Sequence, residues 1–157
     1  MFRQVQSLPP QMRVRRKMAN ILIVDDQPCV RQLLSEELVD EGYGVTSVGD
    51  AESVRAHLKA WPPDLVLLDL YLDGPDGWDV LRDVKRQNPY LPVIIVTAYD
   101  SFRDDPCLSL AEGYVIKSAD FRELKQEIAN ALRRKPEPQG RVETKRYFPK
   151  VGMAHHY

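Results

Sequence analysis

Short runs of consecutive apolar residues recur along the chain, and between them apolar positions return every three or four residues. Ile21-Leu22-Ile23-Val24, Leu65-Val66-Leu67-Leu68 and Pro92-Val93-Ile94-Ile95-Val96 lack the apolar–polar alternation of a half-solvated strand. Runs of this length with both side-chain directions apolar fit strands covered on both faces. Val45 to Val48 and Tyr114-Val115-Ile116 are shorter runs and predict two more strands.

The intervening segments read as helices. Pro28 suits the first turn of a helix, where its missing N–H costs nothing; Val30, Leu33, Leu34 and Leu38 follow at helical spacing and Gly42 stops it. Asp50 caps a second helix with Val54, Leu58 and Trp61 on one face. Gly77 to Gln87 is a third, with Val80, Leu81 and Val84 inward and Asn88-Pro89 as its stop. A fourth is expected over Asp100 to Leu110, short or broken because Asp104-Asp105-Pro106 interrupts it. Asp120 and Glu123 form a capping-box pattern for the last helix, which turns Phe121, Leu124, Ile128 and Leu132 inward and ends on Arg133-Arg134-Lys135. Strands alternating with helices imply right-handed crossovers and a parallel sheet covered on both faces.

Length changes this picture little: 157 residues, 43% hydrophobic and 29% charged, make one domain with a real core. No apolar stretch approaches the roughly 20 residues of a membrane helix, the N-terminus lacks a signal-peptide core, and a cytoplasmic protein is the default. Cys29 and Cys107 are too few for a disulfide framework. Charge is informative. Residues 1–17 carry five basic residues and no acid, residues 136–157 are net +2, and the chain's net −1 leaves −8 on 18–135. An acidic body is a poor partner for nucleic acid; only the tails would attract polyanions. Residues 1–17 read as a disordered basic extension, with Met18 an alternative start, and 136–157 as a tail without an output domain. His155 and His156 in that tail read as solvated.

The chemistry collects at the strand ends. In parallel α/β sheets, function gathers beyond the carboxyl ends of the strands, and here those ends carry Asp25-Asp26, Asp69, Thr97 and Lys117. Three carboxylates at close range repel unless a cation joins them, and hard oxygen ligands on loop ends suit Mg²⁺. A cation, a lysine and a hydroxyl around one carboxylate are the parts that neutralise a phosphoryl group in transfer, with the carboxylate as nucleophile. Taken singly, Asp26 reads as a helix cap, Thr97 as a strand residue, Lys117 as a surface charge and Asp69 as the start of a turn.

Together these residues resemble the receiver domain of two-component response regulators over residues 19–134. Ile21 to Val24 with Asp25-Asp26, Leu67-Leu68-Asp69 followed by Leu72 and Asp76-Gly77, Val96-Thr97-Ala98, and Tyr114 to Lys117 match in order and spacing. The resemblance implies a flavodoxin-like doubly wound five-stranded parallel sheet of order 2-1-3-4-5 within a receiver domain over 18–135. It implies Asp69 as phosphoacceptor, Asp25, Asp26, Asp69 and the Tyr71 carbonyl around Mg²⁺, and Lys117 paired with the phosphoryl oxygens. Thr97 and Tyr114 would form the switch, Ala98 would leave room for the phosphoryl group, and Tyr71 and Tyr99 would tune its lifetime. The partners implied are a histidine kinase or histidine phosphotransfer protein and a downstream protein target, reached by controlled contact or by phosphorelay. Such a protein catalyses only its own phosphorylation and dephosphorylation.

Three positions depart from the pattern: Ser118 where a proline usually follows the lysine, Asp73 where a proline usually lies four residues after the acceptor, and Pro106 in the fourth helix. The rivals are a phosphorylation-independent interaction module of the same fold, a nucleic-acid regulator acting through its basic ends, and an aspartyl phosphatase. The last needs a second acid where Tyr71 stands.

Overall fold

The structure, a computed structural model, describes residues 18–72 and 77–134. Five strands, β1 (Asn20–Val24), β2 (Gly44–Val48), β3 (Leu65–Leu68), β4 (Val93–Thr97) and β5 (Gly113–Ile116), form one parallel sheet in the order β2-β1-β3-β4-β5. Helices α1 (Pro28–Asp40), α2 (Ala51–Ala60), α3 (Gly77–Gln87) and α4 (Arg122–Arg134) make the crossovers, and a 3-10 helix over Pro106–Leu110 stands where a fourth crossover helix was expected. Pro106 opens that short helix, and the Asp105 carboxylate takes the Cys107 N–H at 2.8 Å, so the segment is capped as a tight turn rather than extended upstream.

The apolar runs are continuous because successive side chains enter different layers. Leu22, Val24, Val66, Leu68 and Ile95 pack with Val54, Val80, Leu81 and Val84 of α2 and α3. Ile21, Ile23, Leu65, Leu67, Ile94 and Val96 pack with Leu34 and Leu38 of α1 and Leu124 and Ile128 of α4. The two-residue period of a strand thus feeds a core on each face.

Helix ends follow the sequence in most places. Gly42 adopts φ +98° just beyond α1, and its N–H reaches the Val39 carbonyl while the Tyr43 N–H reaches that of Leu38, the paired bonds of a Schellman stop. Asp50 accepts the Ser53 N–H at 2.8 Å and caps α2. Three side-chain expectations fail. Leu33 is exposed on α1, because Leu34 and Leu38 already define the inward stripe. Trp61 is exposed, because the chain has left helical geometry there (φ −142°) on its way to Pro62-Pro63. The capping box does not close: the Asp120 carboxylate takes the Arg122 N–H, but the Asp120 N–H goes to Ser118 Oγ at 3.0 Å, not to Glu123.

The junction of β3 and α3 is unusually close. A Cβ on Gly77 would lie 2.5 Å from Leu70 Cα and 2.7 Å from the carbonyl oxygens of Asp69 and Leu70, all backbone atoms. Gly77→Ala is therefore expected to destabilise the fold by about 1–3 kcal/mol through overpacking, read as a lower urea midpoint at unchanged slope.

Candidate functional site

Strand register brings the acids together. Val24 pairs with Val48 and with Leu68, so Asp25 and Asp69 leave adjacent strands at one level, and the Asp69 N–H donates to the Val24 carbonyl at 3.0 Å. On the far side of β4, the Lys117 N–H donates to the Thr97 carbonyl at 2.7 Å, placing β5's exit beside β4's. The sheet edge thus carries Asp25, Asp26, Asp69, Thr97 and Lys117, as the sequence indicated.

Oxygens of Asp25, Asp26 and Asp69 lie within 4.8 Å of one another. Asp25 is 2% exposed, Asp69 5% and Thr97 0%, so three polar side chains are withdrawn from water at one place. Each buried acid divides its oxygens between a backbone amide and the lysine. Asp25 Oδ1 accepts the Gln27 N–H at 2.9 Å, and Asp69 Oδ1 accepts the Tyr71 N–H at 3.2 Å. Lys117 Nζ lies 2.8 Å from Asp25 Oδ2 and 3.0 Å from Asp69 Oδ2. Asp26 does not cap α1: the cap position is Gln27, without a side-chain cap bond, and the Asp26 carboxylate belongs to the acid cluster.

Burial pushes the Asp69 carboxyl above the usual aspartate range, against the hydrogen bonds from Lys117 and the Tyr71 amide that favour its ionised form. For Lys117, burial favours the neutral amine, but the hydrogen bonds and charges of Asp25 and Asp69 outweigh it and hold the ammonium above the ordinary lysine value. One cation among three acids leaves a net negative, all-oxygen donor set. That chemistry fits Mg²⁺, which accepts a few carboxylate oxygens and keeps waters for the rest.

Thr97 Oγ1 accepts the Tyr99 N–H at 3.4 Å, and the Tyr114 hydroxyl donates to the Tyr99 carbonyl at 2.5 Å. Thr97 and Tyr114 are therefore tied to the same peptide segment. The Arg103 guanidinium sits over the Tyr114 ring, 5.0 Å from its centroid, and pairs with Asp100. Ala98 is exposed at the mouth of the site. Ser118 follows Lys117, no peptide bond among the described residues is cis, and the serine hydroxyl organises the turn into α4. Asp73, Asp76, His155 and His156, with the two terminal extensions, lie outside the described residues.

Tyr71 and Tyr99 are in contact. Their centroids are 4.8 Å apart in an edge-to-face arrangement, Tyr71 lies 5.5 Å from Phe102, and Phe102 lies 5.9 Å from Trp78. Each such pair is worth about 0.5–1.5 kcal/mol beyond its burial. Phe102 and Trp78 were not singled out from the sequence, although Phe102 follows Tyr99 by three residues. Arg31 was missed as well: its Nη1 donates to the Asp25 carbonyl at 2.7 Å and bears on Gly49, where a Cβ would come within 2.9 Å. Its place on the turn after the acid pair was the available signal.

The model of the response regulator receiver domain family matches residues 21–129. The chain belongs to that family. Over 116 residues it is 36% identical to the probable transcriptional regulatory protein TcrX of Mycobacterium tuberculosis, covering 73% of this chain and 50% of that protein. This receiver chain spans about half the length of the curated relatives it matches. Among solved structures it is similar to the response regulator TrrA of Thermotoga maritima in complex with Mg²⁺-BeF, at 35% identity and TM-score 0.70, covering 73% of this chain and 99% of that one. It is likewise similar to TrrA in complex with the histidine kinase ThkA, at 36% identity and TM-score 0.69, with the same coverage. Among the described residues no helix is long and apolar enough to cross a membrane.

Proposed function

We propose that this receiver accepts a phosphoryl group on Asp69 from a histidine kinase or histidine phosphotransfer protein. In this reading the unit spans 18–135 and acts in the cytoplasm. The observation that carries it is Lys117 Nζ within 3.0 Å of a buried carboxylate that shares its crevice with two further acids. A likeness to TrrA, crystallised with Mg²⁺-BeF and with a kinase, supports both the metal and the donor class.

Asp25, Asp26, Asp69 and the Tyr71 carbonyl would hold Mg²⁺, which when bound supplies charge neutralisation for the phosphoryl oxygens. In the transfer, an Asp69 carboxylate oxygen attacks phosphorus, the bond from phosphorus to the donor imidazole nitrogen breaks, and that nitrogen keeps the electron pair. Lys117 is already beside Asp69 and offers positive charge where the phosphoryl oxygens arrive, so little reorganisation is required of it. Ala98 leaves space at the mouth. The acyl phosphate then draws the Thr97 hydroxyl inward, and Tyr114 follows into the space it leaves, a two-state shift biased by new charge. The altered face passes the signal to a downstream protein by contact, or the phosphoryl group moves on in a relay.

Incubation with Mg²⁺ and a small phosphodonor is expected to add one phosphoryl group, and borohydride reduction should map it to the peptide containing Asp69. A chelator should prevent the modification. A chain that stays unmodified under these conditions would point instead to a phosphorylation-independent interaction module.

A further inference from the structure

Lifetime tuning by Tyr71 and Tyr99 requires those rings to hold a fixed place beside Asp69, and each is carried on an exposed loop residue. Tyr71 is 51% and Tyr99 53% exposed, and each sits just beyond the end of a strand, where the chain has entered a loop. Their main chains are fixed to the site through the Tyr71 N–H on Asp69 and the Tyr99 N–H on Thr97. Their rings meet across the gap between the β3 and β4 exits. The ring that holds this contact to the body of the protein is Phe102. It touches Tyr71 on one side and Trp78 of α3 on the other, and both Phe102 and Trp78 pack against the core layer that contains Val80 and Leu81. The Tyr99 main chain is also held by the Tyr114 hydroxyl, which donates to its carbonyl.

We infer that Phe102 is a positioning residue that clamps the Tyr71–Tyr99 pair over Asp69 and so slows hydrolysis of its acyl phosphate. The inference rests on the phosphoacceptor reading. In that hydrolysis a water oxygen attacks phosphorus, the bond between phosphorus and the Asp69 oxygen breaks, and the carboxylate keeps the electron pair. Inorganic phosphate departs with the protons the water brought. Phe102 touches none of these atoms; it acts by holding two rings across the approach of the water. Exclusion of water from a reactive intermediate is a recognised way to extend its life.

The test loads the full chain with a small phosphodonor and Mg²⁺, removes the donor, and follows the phosphorylated mass with time. Phe102→Leu, which keeps an apolar side chain but no ring, is expected to lose the phosphoryl group about tenfold faster, and Phe102→Tyr to stay near wild type. In a Tyr71→Ala/Tyr99→Ala background, already fast, Phe102→Leu should add nothing. General loosening of the fold would instead accelerate loss in both backgrounds. An unchanged lifetime in Phe102→Leu, or an equal acceleration with and without the two tyrosines, overturns the proposal. A wild type that accepts no phosphoryl group overturns the phosphoacceptor reading beneath it, a result visible before any variant is compared.

Discussion

Asp69→Asn is expected to reduce phosphoryl uptake to background while leaving the fold intact and, at neutral pH, more stable. Asparagine matches the shape of aspartate and keeps an oxygen to accept the Tyr71 N–H now bound to Asp69 Oδ1. It removes the carboxylate proposed as the nucleophile, and with it the only route proposed for the acyl phosphate. The stability gain follows from the direction of the Asp69 shift. Burial raises its carboxyl above the ordinary value in the folded state, so the folded protein binds this proton more tightly than the unfolded chain does. The ionised group therefore opposes folding at neutral pH, and the opposition disappears as pH falls through the raised folded value toward 3.8. Lys117 retains Asp25 at 2.8 Å, so the variant does not strand its ammonium. Denaturant curves at pH 7 and near pH 4 should show the variant ahead at the first and level at the second. Uptake that persists in Asp69→Asn would move the acceptor elsewhere, and a variant less stable at pH 7 would mean the lysine pair outweighs burial.

Lys117→Ala is expected to move metal affinity and phosphoryl uptake in opposite directions. In this structure the ammonium is the cation that joins Asp25 and Asp69, and those oxygens belong to the set that suits Mg²⁺. Lysine and metal thus compete for the same negative charge. Without the lysine, three acids within 4.8 Å repel unrelieved, and Mg²⁺ should bind about tenfold more tightly, equivalent to about 1.4 kcal/mol. Phosphoryl transfer should nevertheless fall about 10²- to 10³-fold, the scale of losing one preorganised charge at a reacting centre. Calorimetric titration with Mg²⁺ and the initial rate of modification by a phosphodonor would read the two effects separately. Affinity falling together with rate would show that Lys117 supports the metal site rather than competing with it.

Most of the architecture was legible because the apolar runs are short and two-sided. Leu65 to Leu68 is wholly buried, and a strand between two helical layers accounts for four consecutive apolar positions ahead of a carboxylate. Asp25, Asp26, Asp69 and Lys117 converge because parallel strands in register expose all their carboxyl ends at one edge, a topological consequence that spacing can convey. What spacing could not convey was side-chain choice among competing positions. Leu33 and Trp61 fit helical periodicity, yet a helix buries only the stripe its neighbours cover, and Trp61 stands where the helix has already ended. The capping pattern at Asp120 failed because Ser118, two residues upstream, reached the same N–H first. Phe102 was hidden for a related reason. It lies in an irregular stretch without periodicity, and its importance arises from rings contributed by β3's exit and α3.

The strand order also bears on how the molecule assembles and comes apart. β1 lies inside the sheet, and its bond to the start of β3 joins residues 44 apart, Asn20 to Asp64. Closing that loop costs chain entropy before any contact rewards it, so the acid cluster is born only when β1 and β3 have met. β4, the 3-10 segment and β5 form the other flank, with β5, like β2 at the opposite edge, paired on one side alone. A transient breathing of that flank can release Thr97, Tyr114 and Lys117 while Asp25 and Asp69 stay locked on neighbouring strands. That flank carries the residues proposed as the switch, while the acids proposed to hold the metal leave the paired strands β1 and β3, so an opening confined to the flank keeps those acids in register.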